Sequence, residues 1–318
     1  MPPAGGSTDL ARSRIGLGLA ALGRPGYITL GHGGDLAGAT DKRSMEHSTH
    51  RVLDAALAGG VRYFDAARSY GKAEAFLSSW LRARDLKPGE ITVASKWGYT
   101  YTADWRVDAE VPERKDLSVA TLTRQLQETW QLLGEYLSLY QIHSATLESG
   151  VLEDRAVLEE LARVRDSGVA VGLSVTGPGQ HETIERAVEL ERFDAVQATW
   201  NLLEDSAGPA LANAHRAGMT VIVKEALANG RLTGRGDTAA LANVANSLRA
   251  APDVVALAAA LAQPWADVVL SGAATVEMLN SNLASLECKL EPDTLAKLSE
   301  LREQPAEYWN RRSKLPWN

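Results

Sequence analysis

Cysteine is almost absent. Cys288 is the only one in 318 residues, so no internal disulfide can form, and a chain this long has to be held by a large buried core. With Leu283, Leu286 and Leu290 around it, the thiol reads as buried filler. A reducing, cytoplasmic setting is the simplest expectation. Basic runs are missing as well. The 33 Lys+Arg against 40 Asp+Glu leave a net charge of −7, which argues against nucleic acid or an anionic membrane as partner. No stretch approaches a membrane span, and the greasiest segment, 254–261, is Ala-rich and short. The first residues carry no apolar signal-peptide core. Residues 1–11 are expected to be a flexible tail and 12–318 a single domain. Apart from His143, the histidines (His32, His47, His50, His181, His215) show no ligand spacing on one element, so no metal is expected.

What the chain does have is alternation. Apolar, β-prone runs fall at 14–20, 61–66, 91–96, 137–143, 170–175, 195–199, 219–224 and 267–271. Helical patterns lie between them, at 43–57, 73–83, 118–133, 152–166, 181–189, 207–216, 253–262 and 276–286. In the segment from Ser118, Leu122, Leu126, Trp130 and Leu133 recur every three or four residues while Arg124, Gln127, Glu128 and Gln131 face out. Glycines at 59–60, 168 and 218 supply C-caps ahead of the next strand. Alternating βα units predict a parallel sheet, and eight of each over this length predict a closed (β/α)₈ barrel. An open doubly wound sheet is the alternative. It is disfavoured because the glycine run from Gly16 to Gly23 has the wrong third spacing for a dinucleotide fingerprint, and Gly31-His-Gly33-Gly34 opens no clear helix before Arg43.

In a barrel, functional side chains sit where strands end. Lys96 and His143 close their strand runs, Asp65 lies near the end of its run, and Tyr70 follows in the next loop. A phenol is a weak acid, with an unperturbed pKa of about 10. A nearby ammonium favours its ionised form. A carboxylate holds the ammonium charged, and an imidazole donates to an oxygen. Such a set can protonate a carbonyl oxygen as hydride reaches its carbon, or run in reverse. No side chain supplies hydride, so a nicotinamide must. Each residue alone also has an ordinary structural reading: Asp65 as a turn cap, Tyr70 as a surface tyrosine, Lys96 as a paired buried lysine, His143 as a satisfied core histidine.

The run Gly60-Val-Arg-Tyr-Phe-Asp65-Ala-Ala-Arg-Ser-Tyr70-Gly71-Lys-Ala-Glu74 resembles the signature of the aldo-keto reductases. So do Ala94-Ser-Lys96-Trp97-Gly98, Leu139-Tyr-Gln-Ile-His143-Ser144, Val171-Gly-Leu-Ser174, Val196-Gln197-Ala-Thr-Trp-Asn201, and Ser271-Gly272-Ala-Ala-Thr275 followed by Asn282. The likeness runs from about Ile15 to Leu286, in order. It implies a barrel that binds an extended nicotinamide dinucleotide, NADP(H) with NAD(H) as the other option. It implies Tyr70 as general acid/base, Lys96 lowering its pKa, Asp65 paired with Lys96, and His143 orienting the carbonyl. It also implies that Ser174 and Gln197 hold the carboxamide, and that Leu227, Ser271, Gly272 and Asn282 line the pyrophosphate and adenosine.

Three positions depart from the pattern. Val175 stands where the family commonly has Asn, Lys224 where an aromatic often stacks on the nicotinamide, and Met278 where a basic residue often meets the 2′-phosphate. Two segments are expected to set specificity over the mouth: 97–116, with Tyr99, Tyr101, Trp105 and Arg106, and the C-terminal tail at 307–317, with Arg311 and Arg312. The substrate implied is a small carbonyl compound or alcohol. A sugar dehydrogenase working oxidatively, a non-catalytic dinucleotide sensor and a barrel without a nucleotide site are the rival readings.

Overall fold

The computed structural model describes residues 10–318. Ten strands occur among them: β1 (Ile15–Gly18), β2 (Tyr63–Asp65), β3 (Thr92–Trp97), β4 (Tyr99–Tyr101), β5 (Glu113–Lys115), β6 (Leu137–Ala145), β7 (Ala170–Val175), β8 (Ala195–Thr199), β9 (Thr220–Lys224) and β10 (Val268–Ser271). All but β4 and β5 pair in parallel around a closed barrel, β1-β2-β3-β6-β7-β8-β9-β10 and back to β1. The (β/α)₈ expectation is met. β4 and β5 form a separate antiparallel hairpin within the 97–116 segment expected over the mouth.

Twelve α-helices occur among the described residues: α1 (His32–Asp35), α2 (Lys42–Ala58), α3 (Ala73–Ala83), α4 (Val119–Leu133), α5 (Arg155–Asp166), α6 (Gln180–Leu190), α7 (Gly208–Arg216), α8 (Ala239–Leu248), α9 (Pro252–Leu261), α10 (Val276–Leu283), α11 (Pro292–Ser299) and α12 (Pro305–Ser313). Their starts have local causes. Asp41 accepts from the Arg43 and Ser44 amides, Asp154 from those of Ala156 and Val157, and Ser118 from that of Thr121. In α4 the buried face includes Leu122 and Leu133 as expected, but Trp130 is 44% exposed. The helix is rotated so that Gln125 and Thr129 face inward. There Gln125 accepts from the Gly98 amide and donates to the Tyr99 carbonyl, and Thr129 donates to Glu74.

The strand alternation of period two sorts side chains between two layers. Phe64, Val93, Tyr140, Val196, Val221 and Val269 point outward to the helices. Tyr63, Ala94, Leu139, Ala195, Ile222 and Val268 point inward and fill the bottom of the barrel. Two residues further along each of several strands the inward position turns polar: Asp65, Lys96, Gln141, Gln197 and Lys224. The barrel is therefore apolar at its base and charged at its C-terminal mouth, which is where the fold builds sites. Leu10 is 3% exposed and plugs the base beside Tyr63 and Leu139. Of the tail expected over 1–11, residues 1–9 lie outside the described residues. Cys288, expected as buried filler, is half-buried in the connection between α10 and α11. Among the described residues no single helix is long and apolar enough to cross a membrane, and no cluster of His, Cys, Asp or Glu could hold a metal ion.

Candidate active site

A cavity of about 770 Å³ opens over the mouth. One end is lined by Asp65, Tyr70, Tyr99, Glu113 and His143, and the other by Asp253, Ser271, Gly272, Glu277 and Asn282. Asp65 and Lys96 are 2% and 1% exposed and form an ion pair, and Lys96 Nζ also donates to the Ala66 carbonyl at 3.1 Å. The remaining carboxylate oxygen of Asp65 accepts from Gln141 Nε2 at 3.3 Å and Gln197 Nε2 at 3.1 Å. Both carboxylate oxygens of Asp65 are thus engaged, and the buried charges satisfy one another.

Tyr70 packs over this pair, its ring centre 5.0 Å from Lys96 Nζ and 5.5 Å from the His143 ring, edge to face. The phenol oxygen has no protein hydrogen-bond partner among the described residues. Burial and then the Asp65 carboxylate push its pKa well above the ordinary value, and Arg24 pulls it down. The resemblance had given the lowering role to Lys96. Here that ammonium is paired with Asp65, and Arg24 is a cation beside the phenol that lowers its pKa. Burial, followed by Lys96, Lys224 and Arg24, holds His143 far below the usual imidazole value, so the ring is neutral. Its Nδ1 is buried without a partner.

The loops hold these groups under strain. Ser144, directly after His143, and Glu225, directly after Lys224, both take left-handed backbone (φ 58° and 55°), which is sparsely populated by such residues. Arg68 pairs with Glu74 and Glu128 and fastens the Tyr70 loop to α3 and α4. Gly23 sits where a Cβ would come within 2.1 Å of the Tyr70 carbonyl. Gly23→Ala is therefore expected to displace the Tyr70 loop and to cost about 1–3 kcal/mol of stability, as overpacking typically does. A thermal unfolding midpoint equal to the parent's would show that the loop gives way freely.

Most residues expected at the site gather here. Tyr70, Asp65, His143, Gln197, Leu227, Ser271, Gly272 and Asn282 all line the cavity, with Lys96 just beneath. Ser271 donates to Asn282 Oδ1 at 2.8 Å, and Asn282 donates to Asp253 at 2.9 Å. Ser174 does not reach the cavity. It is 1% exposed and accepts the Ser144 amide at 2.8 Å, while Ser144 and Thr176 take the lining positions. Of the arginines considered, Arg312 reaches the mouth, Arg311 turns away to Glu303, and Arg106 is solvated.

Several groups were not foreseen. Arg24 is 2% exposed, pairs with Glu113, donates to the Ser69 carbonyl and stacks 4.6 Å from the centre of the Trp317 ring system. Its Nε has no partner. Glu225 is held by Arg312 through two hydrogen bonds. That clamp drives its pKa to about 2 against the opposing effect of burial. A strap covers the cavity. Leu30 donates to the Asn229 carbonyl at 3.0 Å, Arg235 binds Asp35 through two hydrogen bonds, and Asn318 exchanges backbone hydrogen bonds with Tyr27 at 3.2 Å. The sequence offered one clue to these: charged residues directly beside Gly and Pro in loops at strand ends, as in Gly23-Arg24-Pro25.

A parallel barrel with a tyrosine, a lysine–aspartate pair and a histidine at its C-terminal mouth, beside a long groove, is the architecture of a barrel oxidoreductase. The model of the aldo/keto reductase family matches residues 14–303, and the chain belongs to that family. Members use nicotinamide dinucleotides and act on small-molecule carbonyl compounds, and membership makes this chain an oxidoreductase. It is 23% identical over 322 residues to aldo-keto reductase str7 of Strobilurus tenacellus, covering 91% of this chain and 87% of the relative. It is 24% identical over 319 residues to the protein tas of Escherichia coli, covering 82% and 91%. Among solved structures, the holo form of an aldo-keto reductase from Bacillus halodurans superposes with a TM-score of 0.71 at 21% identity, over 92% of this chain and 93% of that one. A glycerol dehydrogenase from Gluconobacter oxydans superposes with a TM-score of 0.71 at 19% identity, over 91% of each.

Proposed function

We propose that this protein interconverts a small aldehyde or ketone and its alcohol, with Tyr70 exchanging the proton at the substrate oxygen. The observation that carries the reading is one cavity with two chemistries. Tyr70, His143 and the Lys96–Asp65 pair stand at one end, and Ser271, Gly272 and Asn282 at the other. The groove fits a dinucleotide. Gln197 gives its Nε2 to Asp65 and keeps its carbonyl oxygen free to accept from a carboxamide, and buried Asn229 Oδ1 lies along the groove without a partner. The cofactor supplies the hydride. Tyr70 stays protonated to high pH and so is loaded as an acid. Neutral His143 offers a second hydrogen bond to the substrate oxygen.

NADP(H) is the dinucleotide the family suggests. The adenosine end supports NAD(H) at least as well, because Glu277 and Met278 line it and Arg235 is engaged by Asp35. Tryptophan quenching with NADPH and NADH side by side tests both statements. Met278→Arg is expected to tighten NADPH roughly tenfold, the worth of one charge-assisted pair with a phosphate, and to leave NADH within about twofold. Failure of wild type to bind either would remove the hydride source and the reading with it.

A second reading concerns substrate. The mouth presents Tyr27, Tyr99 and Trp317 beside the Arg24–Glu113 pair. Aromatic faces next to fixed charged donors and acceptors suit a polyhydroxylated ligand, and that favours a polyol or aldose oxidised by NAD(P)⁺. Turnover of aldoses and not of simple aldehydes would select it.

A further inference from the structure

The carboxylates at the catalytic end of the cavity are each claimed by a cation: Asp65 by Lys96, Glu113 by Arg24, and Glu225 by both ends of the Arg312 guanidinium. One cation among the lining residues there is left over. Lys224 ends β9 pointing inward, donates to Thr199 Oγ1 at 2.7 Å, and lies 3.9 Å from Glu225, beyond hydrogen-bonding distance. Thr199 and Gln197 stand on the adjacent strand β8, with Thr199 in register with Lys224. The wall that holds Gln197 therefore also holds an ammonium whose neighbouring carboxylate, Glu225, accepts its hydrogen bonds from Arg312 instead. Its surroundings are mixed: Glu225 and Thr199 beside it, Arg312 and Trp309 from α12, and Lys96, Asp65 and neutral His143 across the barrel.

We propose that Lys224 sets which redox state of the cofactor the protein prefers, favouring the neutral reduced nicotinamide and disfavouring the cationic oxidised ring. The proposal rests on the dinucleotide reading above, which puts the ring between Gln197 and Tyr70. A unit charge a few ångströms from a ring that gains or loses a full positive charge acts on one state and barely on the other, and in a partly buried site this is worth on the order of tenfold in relative affinity. By thermodynamic linkage the same factor shifts the equilibrium of the bound reactants toward the reduced cofactor and the carbonyl, that is, toward alcohol oxidation. Burial lowers the Lys224 pKa to about 8, with Arg312 and Lys96 adding to the effect against Glu225. The discrimination is thus full below that pH and fades above it as the amine loses its charge.

The experiment is equilibrium binding of oxidised and reduced dinucleotide to wild type, Lys224→Met and Lys224→Arg, followed by tryptophan fluorescence or calorimetry without substrate. The expected result is a ratio of Kd(oxidised) to Kd(reduced) that falls about tenfold in Lys224→Met and is retained in Lys224→Arg. In wild type alone the ratio should also fall between pH 7 and pH 9.5, an arm that needs no variant to fold. A ratio unchanged within twofold in Lys224→Met and flat with pH, with both forms binding, overturns the proposal and leaves the dinucleotide reading standing. It would point instead to an ammonium facing the substrate. No binding of either form by wild type overturns both.

Discussion

Tyr70→Phe is expected to lower turnover by about 10²–10⁴-fold, the usual worth of a positioned acid–base group, with dinucleotide affinity within twofold of wild type. The ring packs against Lys96, His143 and Arg24 at 5.0, 5.5 and 5.2 Å, and those contacts survive removal of one oxygen. The hydroxyl has no protein partner to leave unsatisfied, so stability should change little. The phenol pKa is raised by burial and Asp65. The protonated form therefore persists above the ordinary tyrosine range, and the rate of carbonyl reduction should stay flat on that account up to at least about pH 9. Alcohol oxidation needs the phenolate to accept the alcohol's proton, and it should rise with pH over the same interval. A variant that keeps the wild-type rate would remove Tyr70 from the chemistry. One that loses dinucleotide binding as well would make it a structural residue of the groove.

The barrel was legible because its strands carry a strong signal. Runs such as Ala170–Val175 and Ala195–Thr199 are mostly apolar and buried along their whole length, and eight of them alternating with helical patterns favour a parallel sheet closed on itself. The elements that were not foreseen lack such a signal. Helix α8 is Ala- and Asn-rich, with only Leu241 and Ala245 buried, and it is cut from α9 by Arg249 in left-handed backbone. The β4 and β5 segments are three residues each, and they find one another only after the intervening loop folds. Helices α11 and α12 cover a second apolar cluster around Leu232, Val255 and Tyr308, whose members are scattered along the chain.

The site divides the same way. Asp65, Lys96 and His143 were legible because a polar residue closing a buried strand has one place to go, the mouth of the barrel. Arg24 and Glu113 were not, since their pairing joins the β1 loop to the hairpin and is visible only in three dimensions. Ser174 shows the limit of a motif. The residue type is present, but its hydroxyl accepts the Ser144 amide while Ser144 and Thr176 line the cavity.

Asp65→Ala should be the most destabilising single change at the mouth, by about 3–5 kcal/mol, because it leaves the Lys96 ammonium buried without its counter-ion. Both side chains are at most 3% exposed, so water cannot take the place of the carboxylate. The loss extends further, since the Gln141 and Gln197 amides both donate to Asp65 and would be left unpaired. Asp65→Asn keeps an acceptor of the same shape and should cost less. The double change Asp65→Leu with Lys96→Met removes both charges, and buried pairs replaced in this way often recover most of the loss. It should therefore refold toward wild-type stability while remaining inactive, which separates the energetic role of the pair from its chemical one. Guanidinium unfolding of the four proteins measures this. If Asp65→Ala lies within about 1 kcal/mol of wild type, Lys96 has either moved to solvent or lost its proton, and the ion pair is not what holds the mouth together.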